Sequence, residues 1–105
     1  MSEDLARRFH AEMIGVYVKA REECGYTATR FLRMVSENGG LQAARALLAA
    51  SKISEGFEAL WQRGRLDLTV EALVLRAPWK ELFTVDELAV ASRRLDELGY
   101  QPSKS

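Results

Sequence analysis

Apolar residues recur at three- and four-residue steps along most of this chain, and glycines interrupt them. Leu5, Phe9, Met13, Val16, Tyr17 and Ala20 share one face at ~100° per residue, which predicts an amphipathic helix from Ser2 to about Glu23. Ser2 followed by Glu3 and Asp4 suits its start, since a hydroxyl can accept an orphan amide and carboxylates favour the positive end of the dipole. Twenty residues at ~1.5 Å each make a rod of about 30 Å, enough to span a domain with a radius of gyration near 13 Å. Gly25 is placed to end it. A second helix follows, capped by Thr27 or Thr29, with Ala28, Phe31, Leu32 and Val35 on one side and Arg30, Arg33, Ser36 and Glu37 on the other. Gly39 and Gly40 are expected to stop it by supplying the positive φ of a helix exit.

The third helix, Leu41 to Ala50, turns Leu41, Ala44, Leu47 and Leu48 inward. Ser51 or Ser54 caps a short fourth helix through Phe57, Leu60 and Trp61, with Trp61 as a core anchor and Gly64 near its end. Arg65 to Glu71 alternates polar and apolar, which by period alone suggests a strand. A solitary strand would leave its amides and carbonyls unpaired, and no second segment alternates. The stretch therefore reads as buried lead-in residues Leu66 and Leu68, a cap at Asp67, and a fifth helix from Thr69 to about Arg76, closed by Pro78. Trp79 to Phe83 reads as one helical turn. Thr84-Val85-Asp86-Glu87 has the spacing of a capping box, opening a sixth helix with Leu88, Ala91, Leu95 and Leu98 inward. Gly99 sits at a left-handed C-terminal cap, from which Tyr100 can fold back. The expected fold is all-α: a compact bundle of about five or six helices with a long N-terminal helix and no sheet. Residues 1–100 form one domain, and Gln101 to Ser105 read as a loose polar tail.

Composition narrows the function classes more than the fold. Fifteen Lys and Arg balance fifteen Asp and Glu among 105 residues, so no global field drives the chain onto nucleic acid or anionic lipid. Apolar residues at 48% are enough to build a core. One cysteine, Cys24, cannot form an internal disulfide, and with the single His10 it does not make the common zinc frameworks. That usage fits a reducing compartment. The N-terminus is acidic where a signal peptide is basic, and Arg7, Arg8, His10 and Glu12 break the following apolar stretch, so cytoplasm is the expected location and no membrane is expected as a partner.

A run of residues carries a resemblance: Gly25-Tyr26-Thr27-Ala28-Thr29-Arg30-Phe31-Leu32-Arg33-Met34-Val35, Asn38-Gly39-Gly40, Gly64-Arg65-Leu66-Asp67-Leu68-Thr69-Val70-Glu71 and Leu82-Phe83-Thr84. From about residue 10 to Tyr100 the chain resembles a widespread family of small bacterial proteins. Members of that family stand alone or are attached to larger bacterial proteins, some of them similar to nucleases or defence factors. The resemblance implies a bacterial helical domain with no assigned activity. It brings no catalytic residue to this chain.

The residues themselves supply few chemical candidates. His10 with Arg7 could make a base beside a cation, but a partly exposed helix residue flanking the apolar stripe is the favoured reading. Asp67 and Glu71 could offer two oxygens to a metal, but capping and pairing with Arg65 account for the same residues. Cys24 ends a helix, where the dipole disfavours a thiolate. No catalytic, cofactor-binding or metal-binding residue is assigned, and no cofactor is expected. The strongest surface feature lies on the back of the first helix. Ala11, Ile14 and Val18, flanked by Arg7 and Arg21, oppose the main stripe and suit either a central rod or contact with a protein partner or second copy of the chain. Trp79, after Pro78, could add a partner anchor. The expected function is thus a non-enzymatic interaction or accessory module, possible as a homodimer. The alternative is nucleic-acid binding by a helix-turn-helix-like pair at residues 28–50, with contacts from Arg30, Arg33, Gln42 and Arg45.

Overall fold

In a computed structural model describing residues 2–100, the apolar stripe of the first helix becomes the spine of the bundle. Helix α1, Ser2–Cys24, has 23 residues and therefore runs nearly the full 36 Å of the longest axis. Its Phe9 and Met13 are wholly buried and Ala20 is nearly so. The radius of gyration is 12.6 Å, as a chain of this length requires.

Helices α2, Thr29–Asn38, and α3, Gly40–Ala49, form a hairpin against α1. Helix α4, Glu55–Gln62, leads through a 3-10 turn at Leu66–Leu68 into α5, Val70–Val74. A second 3-10 turn at Trp79–Leu82 precedes α6, Val85–Glu97, which packs on α5 and α3. Among the described residues there is no strand, and the fold is all-α as the periodicity implied. Residues 101–105, read above as a loose tail, lie outside the described residues.

The main core gathers Phe9, Met13, Val35, Leu48, Leu73 and Val74. Phe9 sits at its centre, edge-on to Phe83 at 5.5 Å and tilted against Trp79 at 5.8 Å. A smaller cluster of Phe57, Leu66, Ala72 and Leu95 lies beneath Tyr100. The tyrosine does fold back: its amide donates to the Leu95 carbonyl at 3.0 Å across Gly99, whose φ is +76°. The capping box at α6 is complete, with Thr84 Oγ1 accepting from the Glu87 amide at 3.1 Å and Glu87 Oε1 accepting from the Thr84 amide at 2.9 Å.

Several local expectations are corrected. Neither Thr27 nor Thr29 caps α2; its N-cap is Ala28, at φ −85° and ψ 71°. The Thr29 amide donates to the Thr27 carbonyl at 3.0 Å, so the chain enters α2 through an inverse γ-turn that the buried Ala28 methyl anchors. Only Gly39, at φ +85°, serves the exit of α2, whereas Gly40 is the first residue of α3. Its lack of a side chain answers to packing: a Cβ there would lie 2.7 Å from the His10 Cα, so α1 and α3 touch backbone to backbone. Asp67 does not cap α5, because the 3-10 turn moves the N-cap to Thr69, whose Oγ1 accepts from the Ala72 amide at 3.1 Å. The helix after it is correspondingly shorter than expected. Trp61 is 44% exposed rather than a core anchor, since Phe57 and Leu60 already fill the buried side of this two-turn helix.

Candidate functional site

A cleft of about 460 Å³ opens between α1, the entry to α2, and the start of α4. Val16, Tyr17 and Ala20 of α1 form one wall, Ala28, Phe31 and Met34 a second, and Phe57 and Leu60 a third, with Leu47 of α3 among them. The walls are apolar because each belongs to the inward face of an amphipathic helix or to its entry.

Local chemistry keeps this space open. Gly25, at φ +68°, lets the chain leave α1 sharply, and the Tyr26 amide then donates to the Ala20 carbonyl at 3.1 Å. Tyr26 is thereby fixed on the cleft wall, with the Arg63 guanidinium 5.1 Å from its ring centre. Ser54 caps α4 through the Phe57 amide at 3.0 Å, and the Tyr26 hydroxyl packs beside Gly56, 3.9 Å from where a Cβ would stand. Burial, with the nearby Glu55 carboxylate adding to it and Arg63 opposing, raises the Tyr26 phenol above its ordinary value, so it is a neutral donor. At the mouth Arg30 Nη1 faces Glu55 Oε1 at 3.9 Å, both side chains largely in solvent, a loose link between α2 and α4.

The ionisable side chains inside the bundle are occupied elsewhere. His10 Nδ1 accepts from the Gly40 amide at 2.9 Å and so serves the N-terminus of α3 from another helix. Arg94 of α6 donates to Glu71 Oε2 at 2.9 Å and to the carbonyls of Leu47 at 3.1 Å and Ala50 at 2.6 Å, holding α5 and closing the end of α3. Burial raises the Glu71 carboxyl, while Arg94 and backbone bonds oppose the rise. Asp67 accepts a two-point bond from Arg65, Oδ1 at 3.0 Å and Oδ2 at 3.1 Å, and Arg65 also reaches Glu23 at 2.8 Å. Asp67 and Glu71 are thus directed to different arginines. Among the described residues no three His, Cys, Asp or Glu side chains come together as a metal site would need.

The surface candidates separate similarly. Arg7 and Ala11 are exposed, Val18 is half-buried, and Ile14 packs on the main core, so the outer face of α1 is partly claimed by its own chain. Arg21 stacks over Tyr17 at 5.6 Å. Trp79 is half-buried on Phe9, with Arg8 5.9 Å from its ring centre. Arg30, Arg33 and Gln42 are exposed. Arg45 turns to the C-terminal half of the chain, donating to the Leu82 carbonyl at 3.1 Å and lying 3.6 Å from Glu87. The structure leaves Arg30 and Arg33 one turn apart on α2 and gives Arg45 to α6. The cleft itself escaped the sequence reading, and its only signal there was Gly25-Tyr26 beside Ala28, a junction of small and aromatic residues.

Fold and cleft together define an all-α domain with an apolar recess, in which no helix among the described residues is long and apolar enough to cross a membrane. Comparison with protein-family models, with curated proteins and with solved structures finds no match to this chain.

Proposed function

We propose that this chain is a non-enzymatic interaction module that works by holding an apolar group in the cleft between α1, α2 and α4. The carrying observation is the contrast between that recess and the bundle's interior charges. The cleft has four aromatic rings on its walls, Tyr17, Tyr26, Phe31 and Phe57, and a volume in the ~300–1,000 Å³ range of ligand sites. His10, Glu71 and Asp67, by contrast, spend their polar atoms on a helix end and on arginines. The resemblance to small bacterial proteins without a catalytic motif supports the same reading, that of an accessory part attached to larger assemblies.

Benzene titration followed by amide chemical shifts tests it, because benzene reports an apolar recess without regard to any polar group. Saturable shifts should cluster at Val16, Tyr26 to Phe31, and Gly56 to Leu60. Shifts scattered over the surface, or none, would refute the proposal. A duplex DNA or RNA that moves Arg30, Arg33 and Gln42 while the cleft stays silent would favour nucleic-acid binding instead.

A further inference from the structure

Among the described residues the exposed large hydrophobic side chains are Ile53, Trp61 and Val85, and two of these lie at the ends of α4, the helix that lends Phe57 and Leu60 to the cleft. Ile53, 41% exposed, directly precedes the lining residue Ser54. Trp61, 44% exposed, continues the row that Ser54 and Phe57 begin, since residues three, four and seven apart share a helix face. Neither lines the cleft itself, so a molecule that only filled the recess would leave both in water. A body that covers both together with the cleft is larger than the recess, as a protein segment is and a small molecule is not. Tyrosine, tryptophan and arginine, all present here, are also the side chains that most often anchor protein contacts.

The charges around this face are unequal. Arg30 and Glu55 line the cleft and oppose each other at 3.9 Å. Arg21 and Arg63 add guanidiniums over the rings of two lining tyrosines, 5.6 Å from the centre of Tyr17 and 5.1 Å from that of Tyr26. Lys52 beside Ile53 offsets Glu58 of α4, and Glu23 is taken by Arg65. Cations are therefore in excess. They come from the last turn of α1, the first turn of α2 and the C-cap of α4, so they are spread over the three walls rather than gathered for one anionic head group.

We infer that the cleft, together with Ile53 and Trp61, docks an acidic segment of a partner protein, one that inserts a large apolar side chain between α1, α2 and α4 and carries Asp or Glu around it. This rests on the cleft being the working site, as proposed above, and names the chemistry of the partner.

Selection of random linear dodecapeptides from a display library on the full chain, followed by synthesis of the consensus peptide, tests it. The consensus should combine a Leu, Phe or Trp anchor with an excess of Asp and Glu, and its amide shifts should cluster at Val16, Tyr26 to Phe31 and Gly56 to Trp61. Exposed charges act mainly on the association rate, so Arg30→Glu and Arg63→Glu should each slow it about threefold and together about tenfold, and added salt should slow it too. Trp61→Ala should weaken binding about tenfold. Lys80→Glu, at an exposed cation on the 3-10 turn outside this face, should stay within about twofold, with circular dichroism unchanged in every variant. A basic or uncharged consensus, or no enrichment while benzene still shifts the cleft residues, overturns the acidic class and leaves the recess standing. Octanoate that binds as tightly as the consensus peptide and ignores Trp61→Ala assigns the cleft to a small anion and refutes the inference. Self-association that shifts the same residues as the chain is concentrated gives the site to a second copy and also refutes it. Consensus-peptide shifts at Arg7, Ala11 and Trp79 instead of the cleft, with benzene silent, remove both readings.

Discussion

At Gly40 the backbones of α1 and α3 approach closely, and replacing it by alanine measures how much the fold depends on that approach. The added Cβ would stand 2.7 Å from the His10 Cα and 3.3 Å from both His10 Cβ and Met13 Cγ. The first of these is backbone and has no rotamer by which to escape. Restoring ordinary contact requires α1 and α3 to part by about 0.7 Å, a gap that forfeits roughly a quarter to a half of the dispersion attraction along the seam. The same movement stretches the 2.9 Å bond from the Gly40 amide to His10 Nδ1. Overpacking of this kind costs ~1–3 kcal/mol and the hydrogen bond ~0.5–1.5, against at most ~1 gained from the helix preference of alanine over glycine. Gly40→Ala should therefore lose about 2 kcal/mol, or roughly 10 °C in Tm for a domain of this size. Urea unfolding followed by far-UV circular dichroism reads it. Gly15→Ala is the internal control, because a Cβ at Gly15 meets nothing within 4 Å, and it should gain ~0.5–1 kcal/mol. If Gly40→Ala matches or exceeds the wild type while Gly15→Ala behaves as stated, the backbone contact between α1 and α3 is wrong.

Two further substitutions probe the buried ion pair and the Arg65–Asp67 pair nearer the surface. Arg94→Met strands the buried Glu71 carboxylate and frees the Leu47 and Ala50 carbonyls together, so a loss of ~3–5 kcal/mol is expected by chemical denaturation; a loss under 1 would show that the pair is not buried as described. Hydrogen bonds from Arg65 hold the Asp67 carboxyl below its ordinary value despite partial burial. A depressed carboxyl contributes stability that is present above the unfolded value, near 3.9, and fades as pH falls through the folded one. Asp67→Asn should accordingly flatten the fall in stability as pH drops below about 4, and an unchanged acid limb would place the linkage elsewhere.

Helix identity was legible wherever the chain's own neighbourhood decides it. The stripe on α1, the Thr84–Glu87 box and the Gly99 exit depend on residues within one or two turns, and the structure keeps each. Readings failed where a partner lies far along the chain. Periodicity cannot show that His10 meets an amide 30 residues on, or that Gly40 is glycine because of it. It placed Trp61 on an apolar face without being able to say how wide a face the rest of the chain covers. Alternation at residues 65–71 also misleads, because a 3-10 turn places Leu66 and Leu68 inward by a different geometry from a strand. The cleft was illegible for the same reason, since its three walls come from α1, α2 and α4 and no local rule joins them.

Arg94 gives the molecule a direction in time. During synthesis the guanidinium that finishes α3 emerges 44 residues after Ala50 and 23 after Glu71. Until α6 has been made, the Leu47 and Ala50 carbonyls and the Glu71 carboxylate lack this shared donor, so the link among α3, α5 and α6 waits on the last helix.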